Sequence, residues 1–235
     1  MRISSAALAA LRLRLPKAAV AAASALVLFV ARAPMTFAGT PKVDEIVRKV
    51  QQRYDATKDF TADVSQEATI TSLNKTVTAS GTVAFKKPGK MRWELTQGDP
   101  QTVVADGTTM WVYRPQDNQV VKLPFQQAFH SNTPLSFLSG VGRIADDFSV
   151  TFDGESDGLY HLLLVPRQQS SDVGKLRLSV GTDSYDIRGA EVTDPLGNVS
   201  RLKFDKIQRN LDLNDQRFVF EVPPGVDVVT APAAP

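Results

Sequence analysis

The chain contains no cysteine, only two histidines and only two tryptophans among 235 residues. The missing thiol excludes disulfides, thiolate metal sites, cysteine nucleophiles and lipid attachment through a cysteine. His130 and His161 stand far apart, with no second histidine or carboxylate at ligand spacing, so no metal site is expected. No G-x-S-x-G elbow occurs, which removes the usual hydrolase signature. Gly140-Val141-Gly142-Arg143-Ile144-Ala145 fits G-x-G-x-x-A in letters, but lacks the strand before it and the helix after it that a dinucleotide site needs. Asp146-Asp147 reads as a solvated turn. No catalytic machinery and no cofactor are expected.

A long apolar run is missing as well. Ala18 to Val30 is apolar but short for a bilayer crossing, and it follows Arg2, Arg12, Arg14 and Lys17. Small residues come next, around Thr36-Phe37-Ala38. This order is that of a secretory signal peptide, expected to end after Ala38. Five of the 27 Lys and Arg residues, and none of the 25 Asp and Glu, lie before Gly39. That leaves 22 against 25 beyond it, a formal −3. The basic character therefore belongs to the leader, and no clustered positive footprint for nucleic acid remains. Residues 39–229 are expected to form one domain, with an Ala/Pro tail at 230–235 lacking order.

What is present is mostly strand. A helix is expected first, with Thr40 as N-cap, Pro41 at N1 and Asp44-Glu45 in the first turn. Val43, Ile46, Val47, Val50 and Tyr54 give it one apolar stripe, ending near Thr57. From Phe60 the period shifts to two. Strands are expected at Thr61–Ser72, Thr76–Phe85, Met91–Leu95, Thr102–Ala105, Thr109–Tyr113 and Gln119–Leu123. Asp106-Gly107 suggests a type I′ hairpin between the fourth and fifth. Further strands follow at Phe148–Asp153, Leu159–Val165, Lys175–Gly181, Tyr185–Thr193, Val199–Ile207 and, last, Arg217–Val222. Between Pro124 and Ile144 the alternation fails, and Phe125, Phe129, Leu135, Phe137, Leu138 and Val141 crowd among Pro134, Gly140 and Gly142. Such an apolar insert must cover something apolar or be covered. The fold class expected is mainly β (α+β): a single curved antiparallel sheet, barrel or half-barrel.

Several stretches resemble one family. Asp59-Phe60-Thr61-Ala62-Asp63-Val64-Ser65-Gln66 is similar to its opening strand. Gly81-Thr82-Val83-Ala84-Phe85-Lys86-Lys87-Pro88-Gly89-Lys90-Met91-Arg92-Trp93-Glu94 follows. Ala105-Asp106-Gly107-Thr108-Thr109-Met110-Trp111-Val112-Tyr113-Arg114-Pro115 looks like its S-D-G-x-x-x-W-x-Y-x-P hairpin. Asn132-Thr133-Pro134-Leu135 lies in the insert, and Phe218-Val219-Phe220-Glu221-Val222-Pro223-Pro224-Gly225-Val226 looks like its terminal segment. Together these resemble the periplasmic outer-membrane lipoprotein carriers, the LolA-type chaperones, across the whole chain beyond the leader.

The resemblance implies an incomplete β-barrel whose concave face is covered by an N-terminal helix and a helical lid. It implies a periplasmic carrier, monomeric, whose partners are acylated lipoproteins, an inner-membrane ABC-type releasing complex and an outer-membrane receptor. Met91, Trp93 and Trp111 are the candidates for the acyl-chain cavity, and Phe125, Phe129, Leu135, Phe137 and Leu138 for the lid. The family usually has an arginine before the proline that ends the second strand, where it ties the lid; here that position is Lys87. Lysine lacks the planar fork of arginine, so a looser latch, or one shared with Lys86 or Arg92, is expected. The lipidated receptor of similar fold is excluded by the missing cysteine. A lipid or lipoprotein sensor, or a lipid transporter, using the same half-barrel is the alternative.

Overall fold

Where the sequence alternates, the chain is extended, and the strands join in one sheet. A computed structural model describes residues 42–128, 143–168 and 174–230, all within the unit Thr40–Pro235. The expected leader, the expected tail beyond Thr230, and Phe129, Leu135, Phe137 and Leu138 of the insert lie outside these residues. Among the described residues no helix is long and apolar enough to cross a membrane.

Helix α1 (Val43–Asp55) comes first, and Ile46, Val47 and Val50 are its buried stripe. Its N-cap position is Lys42, in extended conformation and without a side-chain cap bond, so the cap expected at Thr40 is corrected. The strands follow as β1 (Asp59–Ile70), β2 (Lys75–Lys86), β3 (Lys90–Gln97), β4 (Gln101–Asp106), β5 (Thr109–Arg114) and β6 (Gln119–Pro124). Short helices α2 (Phe125–Ala128) and α3 (Ile144–Asp147) flank the insert. Then come β7 (Phe148–Ser156), β8 (Leu159–Pro166), β9 (Lys175–Gly181), β10 (Ile187–Thr193), β11 (Val199–Arg209) and β12 (Asp227–Thr230).

All twelve strands form one sheet, in the order β12-β6-β5-β4-β3-β2-β1-β11-β10-β9-β8-β7. It is open, with β12 and β7 at its edges. Register shifts in β1–β11, β9–β10, β2–β3 and β7–β8 supply local bends, since a bulge kinks its strand and increases twist. At the β2–β3 shift the two backbones touch: a Cβ on Gly81 would stand 1.8 Å from the carbonyl oxygen of Glu94. Only glycine fits there.

Three sequence expectations are corrected. The β4–β5 turn is not type I′, because Gly107 has positive φ but neither Asp106 nor Thr108 does. Instead the Asp106 carboxylate accepts the backbone N–H groups of Thr108 and Thr109, both at 2.8 Å. The final strand is not Arg217–Val222. Asp215–Phe218 is a 3-10 turn capped by the Asn214 side chain, and the strand comes later, as β12. Lastly, β12 pairs with β6 in parallel, so the sheet is antiparallel except at that edge.

The segment 210–226 is therefore a strap rather than a strand, because side chains satisfy its backbone. Asp59 Oδ1 accepts from Leu211 N at 2.7 Å and Asp59 Oδ2 from Leu213 N at 3.1 Å. Lys86 donates to the Leu213 carbonyl at 2.6 Å, and Arg92 donates to the carbonyls of Arg217 and Val219. Phe218, 1% exposed, plugs the strap onto the sheet.

Candidate functional site

Strand register divides the side chains of β2–β6 between two faces. Directly opposed residues share a face and neighbours in sequence do not. Met91 opposes Phe85 and Ala105, Trp93 opposes Val83 and Val103, and these continue through Met110 and Val112 to Leu123 and Val121. This is the inner face. It joins Ala62, Val64 and Phe204 of β1 and β11, and Leu162, Leu164, Leu176, Leu178 and Val180 of β8 and β9, in one buried cluster with α1. Phe125, Ile144 and Phe148, at the two ends of the insert, belong to the same cluster.

The other face begins with Ala84 opposite Arg92 and continues through Val104, Trp111 and Lys122. Trp111 and Tyr113 pack there against Phe220 of the strap, with centroids 6.1 and 6.2 Å apart. Of the three cavity candidates, the fold thus brings Met91 and Trp93 together and sets Trp111 on the opposite side. Alternation in β5 is equally apolar on both faces (Met110, Val112 against Trp111, Tyr113), so the sequence carries no sign of which one looks inward.

Beside the inner face, under the C-terminal half of α1, lies a small cleft with a cavity volume of about 50 Å3. Its apolar walls are Val50, Tyr54, Phe60, Ile187, Phe204 and Ile207. Neither Met91 nor Trp93 lines it, but Trp93 meets Phe204 edge to face at 6.2 Å, and Phe60 stacks on Phe85 at 4.9 Å. Cleft and inner face are thereby continuous. Val50 and Tyr54 belong to the apolar stripe of α1, and Phe60, Ile187, Phe204 and Ile207 come from β1, β10 and β11. Their convergence depends on the β1–β11 pairing, which joins distant parts of the chain. The charged part of the lining is Arg53, Asp186 and Arg209; both guanidinium groups donate to the one Asp186 carboxylate. Burial, and then the neighbouring Arg53, pull the Arg209 pKa below its ordinary value.

The candidates for cover fall as follows. Phe125 is buried at the start of α2, its ring against the β2–β3 turn at Gly89. Lys87 reaches α1: its ammonium donates to the Tyr54 carbonyl at 2.5 Å and stands 3.7 Å from the centroid of the Tyr54 ring. A cation there also meets the negative end of the helix dipole. Burial lowers the Lys87 pKa and pushes the Tyr54 phenol up. Lys86 and Arg92, considered as latch partners, are engaged by the strap instead, Lys86 also pairing with Asp215 at 2.8 Å. The remaining histidine in the described residues, His161, bonds Ser156 and Ser179 through its two ring nitrogens, with no carboxylate on either.

Comparison with known proteins gives this geometry its context. Residues 55–221 match the family model described as outer membrane lipoprotein carrier protein LolA. The outer-membrane lipoprotein carrier protein of Dechloromonas aromatica is 35% identical over 173 residues, covering 74% of this chain and 82% of its own. That of Methylobacillus flagellatus is 31% identical over 183 residues, covering 78% and 88%. A crystal structure of an uncharacterized conserved protein from Thermus thermophilus shares the fold, with a TM-score of 0.51 at 15% identity over 80% of this chain and 98% of that one. With its sequence matched over most of its length and its strands laid out as one open sheet, the chain belongs to the LolA family of outer membrane lipoprotein carrier proteins.

Proposed function

We propose that the protein is a periplasmic chaperone that takes acylated lipoproteins released from the inner membrane and carries them to the outer membrane. The observation that carries the reading is the continuous apolar inner face, running from Met91 and Trp93 to the cleft walls and covered by α1. Each acyl CH2 withdrawn from water is worth about 0.8 kcal/mol, so a lipoprotein free in the periplasm would aggregate or re-insert. Aliphatic and aromatic walls shield such chains without directional contacts, which suits a carrier of many cargoes. Met1–Ala38 exports the chain and is removed. An inner-membrane ABC-type complex hands over the cargo, an outer-membrane receptor accepts it, and the carrier acts as a monomer.

In the empty state, α1 and the insert cover the inner face, with Phe125, Phe129, Leu135, Phe137 and Leu138 as the insert's apolar side and Lys87 as the tie to α1. Loading displaces the cover, as lids do elsewhere. Mass spectrometry of the protein purified from its own periplasm tests this. Intact triacylated lipoprotein is expected to co-purify. Free lipid alone would favour a lipid transporter or sensor, and the absence of both acylated species would contradict the carrier.

A further inference from the structure

One corner of the sheet carries exposed leucines on a hydrogen-bonded joint flanked by two lysines, and the carrier reading makes no use of it. The β1–β2 tip and the β10–β11 turn meet there: Thr71 donates through its N–H to Asn198 Oδ1 at 3.1 Å and through its hydroxyl to the Gly197 carbonyl at 2.6 Å. From this joint Leu196 projects 85% exposed and Leu73 68% exposed, with Ile70 beside them. A turn that exposes a leucine so fully is normally loose. This one is not. The Asp194 carboxylate accepts from Leu196 N, Asn198 N and Asn198 Nδ2 at 2.8, 2.9 and 2.8 Å, and Asn74 closes the other turn onto the Thr71 carbonyl at 3.2 Å.

Two cations flank the joint. Lys75 opposes Ile70 at the tip, and Lys175 opposes Thr193 at the same end of the sheet. Both are exposed, and neither has an ion-pair partner among the described residues. The acidic side chain within the two turns is Asp194, and its oxygens are occupied by its own turn. Four inter-strand gaps, roughly 19 Å, separate the two lysines and straddle the leucines.

We propose that this tip is a lipid-bilayer contact, in which Leu73, Leu196 and Ile70 dip between headgroups while Lys75 and Lys175 meet anionic phospholipid. A protein partner fits less well. A few aliphatic side chains on two turns fall far below the roughly 800 Å2 per partner of a stable interface and lack the aromatic and arginine anchors of binding hot spots. Shallow aliphatic insertion backed by two cations gives the weak, reversible attachment of a peripheral membrane protein.

Vesicle flotation of the full mature chain tests the tip, using phosphatidylethanolamine vesicles with and without phosphatidylglycerol. Binding is expected to grow with the phosphatidylglycerol fraction. It should fall at least roughly tenfold for Leu73→Asp/Leu196→Asp, and by roughly thirtyfold at low salt for Lys75→Gln/Lys175→Gln. All four sites are exposed, so thermal melts should match wild type, and the melts are measured alongside. No flotation of the wild type, or equal flotation of wild type and the leucine variant, overturns the proposal. Loss of transfer to a receptor protein without any loss of vesicle binding overturns it in favour of a protein contact. Lipoprotein release from inner-membrane vesicles is read in parallel. If wild type releases none, the carrier reading fails while the flotation result still decides the tip.

Discussion

Asp59 is a carboxylate almost wholly withdrawn from solvent at the start of β1, and each of its oxygens accepts a bond from the strap. Removing one partner of a buried bond leaves the other desolvated, at about 1–3 kcal/mol each. Asp59→Ala should therefore lower unfolding stability in urea by roughly that amount or more, and Asp59→Asn by less, because the amide keeps one acceptor. Lys87 makes the corresponding contact on the other side. Lys87→Ala should load lipoprotein differently from wild type and Lys87→Arg more nearly like it, read as the rate of release from inner-membrane vesicles. Equal loading by all three proteins removes Lys87 from the latch. Gly81 is set by space alone: Gly81→Ala forces a Cβ onto the Glu94 carbonyl and should cost about 1–3 kcal/mol by denaturant unfolding.

At the scale of elements, the strap carries a pH dependence through Asp215. Hydrogen bonds from Lys86 and then Lys90 hold the Asp215 carboxyl down at about 2, against an ordinary value of 3.8. A depressed folded-state carboxylate contributes stability that is present above its unfolded pKa and lost as pH falls through the folded one. The strap should therefore loosen between about pH 4 and pH 2. Trp111 packs on Phe220 and reports it: in a Trp93→Phe background its fluorescence should change across that window. Asp215→Asn should already show the loosened signal at neutral pH and no transition there. Because Asp215 is exposed, salt should shrink the effect.

For the molecule as a whole, the amphipathic helix, the strand positions and the open mainly β sheet were legible in the sequence, because hydrophobic period is a local property. The strap was not. Phe218-Val219-Phe220-Glu221-Val222 alternates like a strand, but Arg92 claims the Val219 carbonyl, and Asp59 and Lys86, from far along the chain, hold the backbone leading into it at Leu211 and Leu213. The site was legible in part for the same reason. Met91 and Trp93 sit in a strand whose other positions are charged, so their face was plain; Trp111 sits in a strand apolar on both sides, and only the register places it under Phe220. The cleft walls at Phe60, Ile187, Phe204 and Ile207 come together through the β1–β11 and β10–β11 pairings, which no local pattern encodes.

The central claim is that the inner face shields acyl chains rather than recognising the protein part of a cargo. Size-exclusion chromatography of the mature chain decides it, after incubation with inner-membrane vesicles that carry a lipoprotein in its acylated form or as the unacylated Cys→Ser form. The account predicts a one-to-one complex with the acylated cargo, none with the unacylated form, and loss of the complex on introducing a charge into the inner face by Trp93→Glu in protein that still folds. Equal capture of both forms, or capture unaffected by that charge, would contradict it.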